Sequence, residues 1–258
     1  AQLTTRYVFD KMQNSAWDIK SLNRNLCIPM AGFKTLYPHS TVINMVDGKQ
    51  KQIGMTSLWN TSPSRVVVAG ATYDPSTTAR IVTQQGENYV NMFSIPEWGF
   101  GPIDQAHVKQ FNEYLEYLIP DAESRAYFLQ WTAAKMQDMS FRGAAMVMVA
   151  QKQGVGRSTL ADMLKTLMGA NNAADVPLNQ MIGDSQFNEW QEKPFIVSEE
   201  TLAGDPSKFY NTYEKLKTFI DPRSRSVTIN PKFGVKREVE VHGSYLFLTN
   251  HENAIAIP

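Results

Sequence analysis

An unbroken apolar run from Ala144 to Ala150 (AAMVMVA) is the strongest landmark in the chain. It is the pattern of a strand buried on both faces, as in a parallel sheet. A glycine-bearing turn follows from Gln151 to Gly156. Then Leu160, Leu164, Leu167 and Met168 recur three and four residues apart, the stripe of a helix that Gly169 stops. Upstream, Asp104 caps a helix with an apolar stripe at Val108, Phe111, Leu115 and Leu118, ended by Pro120. Asp121 caps a second helix with Phe128, Leu129, Trp131 and Ala134, running to about Asp138. Downstream, Phe195 to Ser198 reads as a short apolar strand. A further helix begins at Asp205-Pro206 and carries Phe209, Tyr213, Leu216 and Ile220 on one face, until Asp221-Pro222 breaks it. Val227–Ile229 and Val239–Val241 flank a turn-rich stretch and predict a hairpin; Tyr245 to Asn250 is a last apolar strand with a polar end.

The first hundred residues are weakly periodic. Strands are predicted at Arg6–Phe9, Arg65–Ala71 and Tyr89–Phe93, and helices near Ile19–Leu26 and Gln50–Trp59. The organisation expected is a mixed accessory domain over 1–103, a helical hairpin over 104–141 and an α/β core with a largely parallel sheet over 142–258.

Composition narrows the classes. Hydrophobic content of 43% and charged content of 19% exclude a disordered chain. A net charge of zero excludes a surface coated in basic charge, but leaves room for a local basic groove. One cysteine, Cys27, allows no intrachain disulfide and no cysteine zinc cluster, and the four histidines lack metal-ligand spacing. The sequence shows no membrane-spanning stretch and no apolar signal core. A soluble intracellular protein is expected.

Strand, glycine turn, helix is the context in which a turn binds phosphate. Gln153, Gly154, Val155, Gly156, Arg157, Ser158 and Thr159 form the candidate loop. Its glycines let backbone N–H groups converge on phosphate oxygens, and the helix N-terminus adds its positive dipole end. Ser158 stands where a hydroxyl ligates magnesium. Gln151 replaces the first glycine of the usual pattern and Arg157 the lysine; arginine keeps the charge but grips phosphate as a planar fork. Glu199 and Glu200 close the strand from Phe195, where one carboxylate can hold magnesium and the other polarise an attacking water. Asn250, at the end of the last strand, can hydrogen-bond a γ-phosphate or that water. Lys232, Lys236 and Arg237 surround Phe233 in the hairpin, a set able to grip a nucleic-acid backbone.

Taken in order, QGVGRST, FIVSEE, the basic hairpin and LFLTN, after FLQWTAAKMQD, the chain resembles the superfamily 3 helicases. The likeness is to the helicase portion of bacteriophage primase-helicase proteins. It covers roughly residues 104–258, with a fainter echo in TYDP and NYVNMF. The resemblance implies an AAA+-type P-loop ATPase core that assembles as a homo-hexameric ring and moves on single-stranded DNA at a replication fork by hydrolysing Mg-ATP. It implies a primase fused or associated with it, the cytoplasm of an infected bacterium as its setting, and no membrane. It assigns Gly154, Gly156, Arg157 and Ser158 to the phosphate loop, Glu199 and Glu200 to magnesium and water, Asn250 to the polar sensor, and Lys232, Lys236 and Arg237 to DNA. Arg157 in place of lysine bears on the rate of hydrolysis. The family's arginine finger lies beyond the sensor strand, so the chain is expected to stop short of it. Two other readings fit parts of the pattern: a degenerate P-loop module that binds nucleotide or DNA with little hydrolysis, and a P-loop kinase for a small molecule. The kinase leaves the acidic pair and Asn250 unexplained.

Overall fold

The computed structural model describes residues 2–21, 26–37, 41–46, 49–96, 98–99, 101–152, 154–183, 186–199, 209–221, 223, 226–232 and 236–250. The chain divides into two units, Ala1–Phe93 and Ser94–Pro258.

The first unit is mixed α and β. It begins with α1 (Gln2–Arg6), β1 (Tyr7–Asp10), β2 (Ser15–Asp18), β3 (Cys27–Pro29) and α2 (Met30–Thr35). Then come β4 (Thr41–Val46), β5 (Lys49–Gly54), α3 (Met55–Thr61), β6 (Val67–Val68), β7 (Ala71–Thr72), β8 (Ile81–Gln84) and β9 (Glu87–Asn91). Its sheets run β3-β2-β1-β6 and β7-β9-β8, with β4-β5 as a separate antiparallel hairpin. One core joins Tyr7, Ala16, Met30, Phe33 and Trp59; a second joins Val8, Trp17, Val68 and Val90.

Three expectations for this unit are corrected. No helix occupies the described part of Ile19–Leu26, because Asp18 folds back to accept the Lys20 N–H and so makes a turn. The helix placed at Gln50–Trp59 is half strand: Lys49–Gly54 pairs in register with Thr41–Val46, and the helix starts only at Met55. The strand placed at Arg65–Ala71 is two short strands broken at Gly70, whose φ of +141° suits glycine alone.

The second unit opens with α4 (Gln105–Leu118) and α5 (Ala122–Gln137). Both start on aspartate caps: Asp104 accepts from the Ala106 N–H, and Asp121 from the Ser124 N–H. Of the stripe predicted for α5, Phe128 and Trp131 are buried, whereas Leu129 is exposed. The α4 stripe is less covered, with Leu115 fully buried but Val108 and Phe111 exposed.

There follow β10 (Met146–Val149), α6 (Arg157–Met168), a 3-10 turn at Ala170–Asn172, β11 (Ala173–Asp175), α7 (Leu178–Ile182), a second 3-10 turn at Glu189–Glu192, and β12 (Phe195–Ser198). The unit ends with α8 (Phe209–Ile220), β13 (Ser226–Ile229), β14 (Arg237–Glu240) and β15 (Ser244–Thr249). The expected cap at Asp205-Pro206 lies outside the described residues.

Four strands form a wholly parallel sheet in the order β10-β15-β12-β11. Strands β12 and β15 are buried at every position. Side chains alternate across the sheet, so Ile196, Tyr245 and Phe247 meet Trp190, Leu178, Met181 and Leu216 on one face. Helix α6 lies against β12 and β15, with Leu160, Ala161, Leu164 and Met168 buried. Each large apolar side chain withdrawn this way contributes about 1.5–3 kcal/mol.

Strand β10 departs from expectation. Among the described residues it pairs with β15 alone, so it is an edge strand, and Val147 and Val149 are 42% and 44% exposed. An all-apolar sequence does not distinguish a central strand from an edge beside an open groove.

Inside this unit Lys135 is fully buried. Its ammonium donates to the carbonyls of Met139, Phe141 and His242, each at 2.7 Å. The end of α5, the turn after it and the approach to β15 are tied at one point.

Candidate functional site

All four strands of the parallel sheet point the same way, so their C-terminal ends lie along one edge, the edge where open α/β sheets bind ligands. The register aligns Val149 with Thr249, and Ser198 with Phe247. Ala150, Glu199 and Asn250 therefore leave the sheet close together.

Between β10 and α6 the chain turns through Gly154 and Gly156, at φ +72° and +103°. Both values lie in the left-handed region, so the sequence needs glycine here to aim the turn at the helix N-terminus. The turn is braced from α4. The Tyr114 hydroxyl donates to the Gly156 carbonyl at 2.7 Å, and its ring lies so near the Gly156 Cα that an added Cβ would meet it at 3.3 Å.

The first residues of α6 reach the other strand ends. The Ser158 hydroxyl donates to Glu199 Oε2 at 2.8 Å, across 41 residues of sequence. The Arg157 guanidinium donates to Met148 O at 3.1 Å, to Thr249 O and to Asn250 Oδ1. It thereby crosses from the end of β10 to the end of β15. Burial works against its charge and Glu199 works for it. Beside β10 an open groove of about 1000 Å³ runs past Arg157 and Val155, walled by Tyr117, Tyr127, Val147 and Val149.

The hydroxyl of Ser158 and the carboxylate of Glu199 are hard oxygen donors of the kind magnesium takes. Two neighbouring ligands of an octahedral magnesium at about 2.1 Å stand roughly 3 Å apart. The Ser158–Glu199 separation of 2.8 Å fits that spacing.

The structure thus brings together Gly154, Val155, Gly156, Arg157, Ser158, Glu199 and Asn250, with Thr159 exposed in the first turn of α6. Gln153 and Glu200 lie outside the described residues. The three hairpin cations divide. Lys232 and Lys236 are exposed in the segment that joins β13 to β14, whereas Arg237 is 21% exposed and ion-paired with Glu192, itself 3% exposed. Phe233 lies outside the described residues. Tyr114 is absent from every motif in the sequence; its only signal is its place one turn before Leu118 on the α4 stripe.

The described residues hold no cluster of three or more His, Cys, Asp or Glu side chains, and no helix long and apolar enough to cross a membrane.

The molecule is a mixed α/β protein whose second unit carries a four-stranded parallel sheet, with a glycine turn and a convergent polar set at the strand ends. Its fold is similar to that of the C-terminal region of NrS-1 (305-718) in its apo form, at 21% identity and a TM-score of 0.72, over 99% of this chain and 57% of that one. The A form apo structure of the same region gives TM-scores of 0.68 and 0.67 at 20% and 21% identity, covering 54% and 55% of those chains. The chain therefore spans a little over half the length of the structures it matches. Residues 148–257 match a family of unknown function, DUF5906. No curated protein matches the sequence.

Proposed function

We propose that the chain is the ATPase core of a DNA helicase or translocase of phage replication, of superfamily 3 and AAA+ type. The observation that carries this is the bond between Ser158 and Glu199. A hydroxyl from a glycine turn and an acid from a different parallel strand meet at the one edge where a triphosphate, held by the turn and the α6 N-terminus, would place its reacting end. Ser158 and Glu199 would hold a magnesium ion, which would supply positive charge against the phosphates. Gly154 and Gly156 offer backbone N–H groups to the phosphates. Asn250 stands ready at the β15 end to orient the attacking water, and Glu200 follows Glu199 as the second acid. The groove beside β10 is of a size that holds a nucleoside. Lys232 and Lys236 supply the contact to single-stranded DNA in a homo-hexameric ring, in company with a primase, in the cytoplasm of an infected bacterium.

A second reading is favoured by one observation. The Arg157 guanidinium is engaged with strand-end carbonyls and Asn250 rather than directed along the glycine turn. A module that binds nucleotide for assembly, without turnover, would keep that arrangement. Phosphate release from ATP separates the two readings, measured with and without magnesium and with and without single-stranded DNA. Magnesium-dependent, DNA-stimulated turnover supports the motor. Tight nucleotide binding with no turnover supports the module.

A further inference from the structure

The basic segment between β13 and β14, of which residues 230–232 and 236 are described, is fastened at both ends to one short stretch of chain. At its entry, the Asn230 backbone N–H donates to Asn188 Oδ1 at 2.7 Å, and the Asn230 side-chain amide donates to the Gln186 carbonyl. The Asn188 amide donates in turn to Thr228 O at 3.0 Å. At its exit, Arg237 donates to Glu192 Oε1. Ile229 pairs with Arg237, so these clamps sit on the last rung of the hairpin and the loop starts directly beyond them.

The clamp at Glu192 is not a loose surface contact. Its carboxylate is 3% exposed, and burial raises its pKa while Arg237 holds it down. Parting a buried ion pair leaves a charge without compensation, which is strongly unfavourable.

Residues 186–192 lead through Lys193 and Pro194 directly into β12. That strand lies between β11 and β15, and Phe195, Ile196 and Val197 are each 0% exposed. A strand packed on every side shifts as a body rather than bending. Its far end is Glu199, bonded to Ser158. The candidate catalytic carboxylate and the basic loop are thus attached to opposite ends of one buried strand.

We infer that Asn188 and Glu192 are positioning residues that couple the nucleotide site to the basic loop, an inference resting on the proposed function. When nucleotide and magnesium load the Ser158–Glu199 pair, β12 and the 186–192 segment carry the displacement of Glu199 to Lys232 and Lys236. A strand of DNA held at the loop acts back on Glu199 along the same path. Coupling of this kind is reciprocal: nucleotide changes DNA affinity by the same factor as DNA changes nucleotide affinity. Neither Asn188 nor Glu192 touches nucleotide or DNA in this scheme, so each acts only through the elements it joins.

The test uses the full-length protein, with Asn188→Ala, which removes both amide bonds, and Glu192→Met, which removes the carboxylate at similar volume. ATP turnover is measured with and without single-stranded DNA, and DNA affinity with and without a non-hydrolysable ATP analogue. In both variants, turnover without DNA and DNA affinity without nucleotide are expected to stay within about twofold of wild type. DNA stimulation is expected to fall by at least about fivefold, and the effect of nucleotide on DNA affinity to vanish, as loss of a coupling term requires. Should Glu192→Met fail to fold, Asn188→Ala carries the test alone. Variants stimulated as strongly as wild type overturn the inference and leave the motor reading intact. Variants that lose basal turnover, DNA affinity and stimulation together also overturn it, since that is a structural role. A wild-type protein without DNA-stimulated turnover overturns the motor reading and this inference with it.

Discussion

Arg157 donates from its guanidinium to the side-chain oxygen of Asn250, so the residue that opens α6 fixes the residue that follows β15. With Oδ1 engaged, the amide nitrogen of Asn250 is the group left to meet a ligand. The same guanidinium holds Met148 O and Thr249 O, which pins the ends of β10 and β15 to each other. An arginine reaches these acceptors from two separate nitrogens of a rigid planar fork, whereas a lysine would have to serve them from a single nitrogen. Arg157→Lys is therefore expected to lower ATP turnover by about 10- to 100-fold while KM for ATP changes by no more than about threefold, as for loss of a group that acts in the transition state. Steady-state kinetics check the split. A gain in turnover would instead mark the native site as weakened and favour the binding module.

Tyr114 braces the glycine turn from a helix with no motif of its own. Tyr114→Phe keeps the ring against Gly156 and loses only the bond to its carbonyl. A hydrogen bond of this type contributes about 1 kcal/mol. Nucleotide affinity is expected to fall by about three- to tenfold, with the melting temperature little changed, as calorimetric titration and thermal unfolding would show.

Lys135 supplies a pH dependence. Burial pushes its pKa from 10.5 down to about 7 in the folded protein. The unfolded chain then binds the proton more tightly between those values, so stability rises with pH across that interval. Lys135→Met strips a donor from each of three carbonyls and is expected to cost about 2–4 kcal/mol at pH 7. Between pH 7 and pH 9 the native protein should gain a further 1–2 kcal/mol or so over the variant. Denaturant unfolding at the two pH values reads both effects.

Lys232 and Lys236 are exposed at the loop, and each is expected to neutralise about one phosphate. Replacing both by alanine should weaken single-stranded DNA binding at low salt by about tenfold or more. The slope of log affinity against log salt should flatten by roughly 0.7 per lysine. Arg237→Ala behaves differently: because Glu192 depends on it, that change costs stability as well as binding. Fluorescence anisotropy across a salt series, with a melt on each variant, separates the two effects.

How legible the fold was in the sequence depended on how local its causes were. Asp104 and Asp121 announce their helices because a cap acts within three residues. The Leu160–Leu164–Met168 stripe did likewise, and Phe195–Ser198 and Tyr245–Thr249 show as strands because both faces are covered. The hairpin of β4 and β5 was not legible. Lys49, Gln50, Lys51 and Gln52 are exposed and carry no strand pattern, so only their partners at Ile43–Val46 place them. Strand β10 misled for the opposite reason, since its apolar run looks the same at an edge as at a centre. At the strand ends, Ser158, Glu199 and Asn250 were visible as motifs. Tyr114, Asn188 and Glu192 were not, since each meets its partner about 40 residues away or more.

Glu199 is proposed as the acid that serves ATP hydrolysis opposite Ser158. The most direct test of that role is Glu199→Gln, with ATP binding and single-turnover phosphate release measured in magnesium and single-stranded DNA. Wild type is expected to hydrolyse ATP, whereas the variant binds it within a few-fold of wild type and releases phosphate at least about 100-fold more slowly. Equal phosphate release from both proteins, or no ATP binding by wild type, would contradict it.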